Sequence, residues 1–110
     1  MNESHKEKVP YPCDLKIRDR QIDWIVVSQH YQIEHSSYMS DELIIKLVKK
    51  YLVDDEPKSV EMDYPWEYLT WEPLIYDDKP YRLVACLHAK QTNFLGIVNC
   101  HRVHQSKKSK

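Results

Sequence analysis

Three segments rich in apolar and aromatic residues, "WEYLTWEPLIY", "YRLVACLH" and "FLGIVNCHRV", follow one another between Trp66 and Val103. Only "DDKP" and "AKQTN" separate them. Links this short join antiparallel strands, because a parallel pair needs a crossover of a dozen residues or more. The C-terminal part is therefore read as a three-stranded antiparallel meander. Pro73 interrupts its first strand, which implies a bulge or an edge position. Gly96, the single glycine of the chain, sits inside the last strand and marks a bulge or a close backbone approach.

Upstream, "SDELIIKLVKKYL" carries the strongest helix signal. Ser40 is a good N-cap, and Met39 and Ile44 hold the positions of a hydrophobic staple. Asp41 and Glu42 stand at the positive end of the helix dipole, with Lys46, Lys49 and Lys50 toward the negative end. Ile44, Leu47, Val48, Tyr51 and Leu52 form one apolar face. A shorter helix is expected over residues 29–36, capped by Ser28 and preceded by a strand from Trp24 to Val27. "VDDEPKSVEMDYP" reads as an acidic loop. The expected order is β-α-α-β-β-β, an α+β domain with two N-terminal helices packed on a twisted antiparallel sheet. Its bounds are residues 14–104, between a disordered segment 1–13 and a basic disordered tail 105–110.

At 110 residues, 42% hydrophobic and 30% charged, the composition is that of one soluble globular domain. No apolar run approaches the ~20 residues of a membrane helix. The polar start, "MNESHKEKVPYPC", lacks the features of a signal peptide, so a cytoplasmic location is expected. Cys13, Cys86 and Cys100 lack CxxC spacing, which argues against a disulfide framework and a zinc ribbon. No cofactor is implied.

The net charge of −1 conceals a split. Seven Lys or Arg and no acid occur from Lys79 to Lys110, whereas residues 1–78 carry nine bases and 17 acids. Such a split suits an anionic partner or an oppositely charged protein. Arg82, His88, Lys90, Arg102 and His104 are the candidate RNA-binding residues. A symmetric last hairpin would place Arg82 and Arg102 on one face, close enough to grip one phosphate. A one-residue slip would exchange Arg102 for His101. His88 lies ~20 Å from Arg82 at ~3.3 Å per residue and forms a separate patch. Trp66, Tyr68, Trp71 and Tyr76 are either stacking platforms for bases or core packing.

His30 with Glu34, and Tyr31 with His35, form i, i+4 pairs on the first expected helix. A His and a carboxylate suit transfer from a ribose 2′-hydroxyl, one taking a proton and the other giving it. As metal ligands His30 and His35 diverge, and no third ligand is evident.

"KPYRLVAC" followed by "IVNCHRVHQ" resembles the end of RelE/ParE-type toxins. "IVVSQHYQIEHSSYMSDELIIKLV" resembles the helical start of the wider barnase–EndoU–colicin–RelE-like nuclease group. Together the likeness covers residues 24–104. It implies a RelE-like fold and metal-independent cleavage of RNA by 2′-hydroxyl attack, in a toxin held by an antitoxin or inhibitor protein. It would make Arg82 the holder of the scissile phosphate and Arg102 the stabiliser of its developing charge. His35, or else His30, would be the acid or base, with His101 the substitute and Tyr81 a lesser candidate. Two features depart from RelE-type toxins: the chain is not basic, and the expected helix is rich in histidine, which suits the EndoU or colicin side of the group better. The alternative reading is a noncatalytic protein-binding module that uses the acidic residues 54–78 or the aromatic patch. A third reading, a topoisomerase-poisoning toxin of the ParE branch, needs no acid–base pair.

Overall fold

The computed structural model describes residues 8–29 and 38–103. They form β1 (Lys8–Ile17), β2 (Arg20–Ser28), α1 (Asp41–Leu47), β3 (Ser59–Asp63), β4 (Trp66–Tyr76), β5 (Lys79–His88) and β6 (Phe94–Arg102), with α1 running into a π-helical turn, Val48–Leu52. One six-stranded sheet has the order β1-β2-β6-β5-β4-β3. Its neighbours are antiparallel except β2 and β6, which are parallel.

With one glycine available, the hairpins turn on other residues. Arg18 and Asp19 adopt φ of 52° and 67° between β1 and β2, and Asp77 and Asp78 adopt 54° and 65° between β4 and β5. Two successive positive φ values give the twist that a two-residue hairpin needs, and Asp tolerates that region better than most residues.

The helix starts as its sequence dictates. The Ser40 side chain accepts the Leu43 N–H at 3.1 Å, with Asp41 and Glu42 in the first turn. Ile44, Leu47, Val48 and Leu52 are buried, as are Ile25, Val27, Leu69, Trp71, Leu83, Leu87, Leu95 and Cys100 from the sheet. Trp71 Nε1 donates to the Asp55 carbonyl at 2.9 Å, satisfying its polar edge inside this core.

Two parts of the sequence expectation are corrected, and a third falls outside the described residues. The two-helix, RelE-like α+β arrangement is replaced by a predominantly β architecture, with one short helix among the described residues. The helix expected over 29–36 falls, beyond Gln29, outside the described residues. The sheet is mixed, not purely antiparallel, because β2 and β6 lie side by side in parallel. Two strands were also unforeseen. β3 crosses the stretch read as an acidic loop, and β1 begins at Lys8, so residues 8–13 of the segment expected to be disordered form a strand. Both strands lie at sheet edges, where solvated backbone on the outer flank tolerates the prolines of β1 and the acids of β3 that hid their alternation.

Candidate functional site

The helix covers one face of the sheet, and among the described residues no element covers the other, here called the open face. Strand alternation sends Trp24, Val26, Gly96, Cys86, Trp66 and Tyr68 to the open side, opposite the buried Ile25, Val27, Leu95, Leu87 and Leu69. Cross-strand register gathers them: Trp24 pairs with Phe94, Val26 with Gly96, Gly96 with Cys86, and Cys86 with Tyr68. The result is a groove of about 940 Å³ across four strands. Trp24, Phe94, Trp66 and Tyr68 wall it, and Gly96 and Cys86 form its floor. Trp24 is 42% exposed and Val98 39%. Lys8, on its rim, is the one charged residue of the lining among the described residues.

Gly96 is required by space, not by backbone angle, since no glycine has positive φ. A Cβ at Gly96 would lie 2.8 Å from Cys86 Sγ. The groove is therefore as deep as this contact allows. Burial pushes the Cys86 thiol up, while the Lys8 charge pulls it the other way. Trp66 is braced edge-on by His88, with ring centroids 4.7 Å apart, and by Phe94 at 6.3 Å.

The sequence-predicted residues that are described do not converge on this groove. Arg82 pairs with His101 across the hairpin, and Tyr81 with Arg102. The symmetric register, in which 82 faces 100, is not the one formed. A bulge in β6, where Val84 pairs with Asn99 but Ala85 with Ile97, supplies the one-residue slip. Arg82 and His101 thus share the open face, and Arg102 leaves by the other. Each arginine is engaged. Arg82 Nε lies 3.4 Å from Glu72 Oε1, which also meets Lys58 Nζ at 3.8 Å. Arg102 stacks over Tyr38 at 4.6 Å and donates from Nε to the Tyr81 hydroxyl at 3.4 Å.

His88 Nδ1 accepts the N–H groups of Lys90 and Gln91, each at 3.1 Å, and so organises the β5–β6 turn on which Lys90 sits. His101 Nδ1 lies 2.8 Å from the Arg102 carbonyl oxygen. His30, Glu34, His35 and His104 lie outside the described residues. Among the described residues no group of three His, Cys, Asp or Glu side chains is placed to hold a metal ion.

Of the aromatic cluster, Trp66 and Tyr68 reach the groove, Trp71 is core, and Tyr76 packs against the core from the side. Positions 66 and 71 differ by an odd number, so opposite faces were legible from alternation. Trp24 and Phe94 were missed as site residues. Their signal was a large ring at a strand position flanked by buried aliphatics, but the β2–β6 pairing that unites them is nonlocal.

No protein-family model, curated protein or solved structure matches this chain.

Proposed function

We propose that this chain is a noncatalytic protein-binding module whose open sheet face receives a segment of a partner. The observation that carries the reading is the set of partly exposed rings of Trp24, Trp66, Tyr68 and Phe94 around an apolar floor. Rings on a solvated face fill no core of their own chain, and a contiguous apolar patch rimmed by polar residues is the surface of an interaction site. Interfaces concentrate aromatic anchors in just this way, with affinity carried by a few central residues. The partner segment would bring apolar or aromatic side chains to the groove and an acidic group to Lys8.

Dispersal of the basic residues supports binding over phosphate transfer. Arg82 and Arg102 leave opposite faces, and each is held by groups of this chain. The net charge of −1 supports it as well, because phosphate contacts dominate affinity for nucleic acid.

The test is a photo-crosslinking amino acid at Val98, on the groove rim, followed by titration of the captured protein in purified form. The expected result is one crosslinked partner that binds the wild type and loses at least about tenfold in affinity with Trp24→Asp, the loss of one anchor. Affinity indifferent to Trp24→Asp and Trp66→Ala, or no crosslinked protein, overturns the reading.

A further inference from the structure

The two edges of the sheet differ in kind. β1 carries Pro10 and Pro12, which lack the N–H a docking strand would use and so blunt that edge. β3, at the opposite edge, has no proline between Ser59 and Asp63. Its five residues are all exposed, and among the described residues no strand pairs with its outer side. Its side chains are sorted by face. Glu61 stands opposite Tyr68 and Asp63 opposite Trp66, on the open face beside the groove. Val60 and Met62, 45% and 65% exposed, stand on the other face.

Charge narrows the occupant. Residues 54–78 hold nine acids and one lysine. Glu56 and Glu67 are met by Arg18, and Glu72 by Lys58 and Arg82. Among the described residues Glu61 and Asp63 form no ion pair. An incoming strand would complete the backbone ladder and place alternate side chains on the two faces. Those beside Glu61 and Asp63 would need positive charge, and those beside Val60 and Met62 would need apolar surface.

We infer that the outer edge of β3 docks an extended partner segment in which basic and apolar residues alternate, adding a seventh strand. This deepens the protein-binding reading but occupies a surface distinct from the groove.

The probe is an acetylated, amidated heptapeptide alternating Lys and Val, compared with one alternating Glu and Val. Binding is followed by fluorescence anisotropy, and amide hydrogen exchange is read across residues 59–63. The Lys peptide is expected to bind and to slow exchange of the β3 amides. Its affinity should fall at least about tenfold in Glu61→Lys/Asp63→Lys, as cross-strand attraction becomes repulsion at two pairs. Glu61→Gln/Asp63→Asn should fall between, and the Glu peptide should prefer the Lys variant. Both acids are exposed, so these changes leave the core untouched. Trp24→Asp, on β2, should leave peptide affinity unchanged, which separates failure of the edge from failure of the groove. No binding, binding indifferent to the charge of peptide or strand, or unaltered exchange in β3 overturns the proposal.

Discussion

Gly96 lies directly opposite Cys86, so close that a Cβ on the glycine would come within 2.8 Å of the sulfur. The contact fixes the depth of the groove. Gly96→Ala should destabilise the fold by about 1–3 kcal/mol, the usual cost of overpacking. Adding Cys86→Ala removes the sulfur, so the double variant should recover most of that loss. Urea unfolding of the two single variants and the double checks it. Strict additivity would mean that the two residues do not meet.

Trp66 and Trp71 lie on opposite faces of the same strand, and truncation should tell them apart. Trp71 is 2% exposed and hydrogen-bonded to Asp55. Trp71→Ala should cost about 3–5 kcal/mol, as large-to-small changes in a core do. Trp66→Ala, on the groove wall, should cost about 1 kcal/mol or less, with the main loss in partner binding. Thermal melts of both variants measure the difference.

Cys100 is fully buried, and burial pushes its thiol from 9.0 up to about 12. As pH rises through 9 the unfolded chain gives up this proton while the folded chain keeps it. The stabilisation is thus complete below pH 9 and is lost between 9 and 12, by at most about 1.4 kcal/mol per pH unit. Urea unfolding at pH 8 and pH 10.5 should show a smaller decline for Cys100→Ala than for the wild type. Ellman's reagent at pH 8 should leave Cys100 unmodified until the protein unfolds.

Arg82 and Arg102 should behave as independent residues. Arg82→Ala removes a half-exposed ion pair with Glu72 and should cost about 0–1 kcal/mol. Arg102→Ala removes stacking on Tyr38 and should cost about 0.5–1 kcal/mol. The double variant should be additive within about 0.5 kcal/mol. In EDTA, long mixed-sequence RNA should gain no cyclic-phosphate ends on incubation with the protein. Cleavage lost in Arg82→Ala/His35→Ala would instead favour the ribonuclease reading.

Sequence reading found what is coded locally. Ser40 as a cap, the apolar face Ile44–Leu47–Val48, and the β4–β5–β6 meander are each set by neighbours within a few residues, and each is present. Pro73 does sit in a bulge, where the β4–β5 register shifts between Trp71 and Leu74. Reading failed where pairing partners are distant. β1 has the alternation of an edge strand but contains two prolines, and β3 is short and acidic, so neither announces itself. The candidate site was half legible: Trp66 and Tyr68 were singled out, but Trp24, Phe94, Lys8 and Cys86 were not.

By itself the sequence determined a capped helix, a three-strand meander and an acidic stretch followed by a basic one, because capping, alternation and turn chemistry act within a few residues. The tertiary structure alone decided that β2 lies parallel to β6, and that a bulge in β6 turns Arg102 away from Arg82. Which strand lies beside which is settled by burial of the whole apolar face at once, and a single extra residue in a strand reverses every side chain beyond it. The groove exists only once β2 has paired with β6, since that contact brings Trp24 and Val26 beside Phe94 and Gly96.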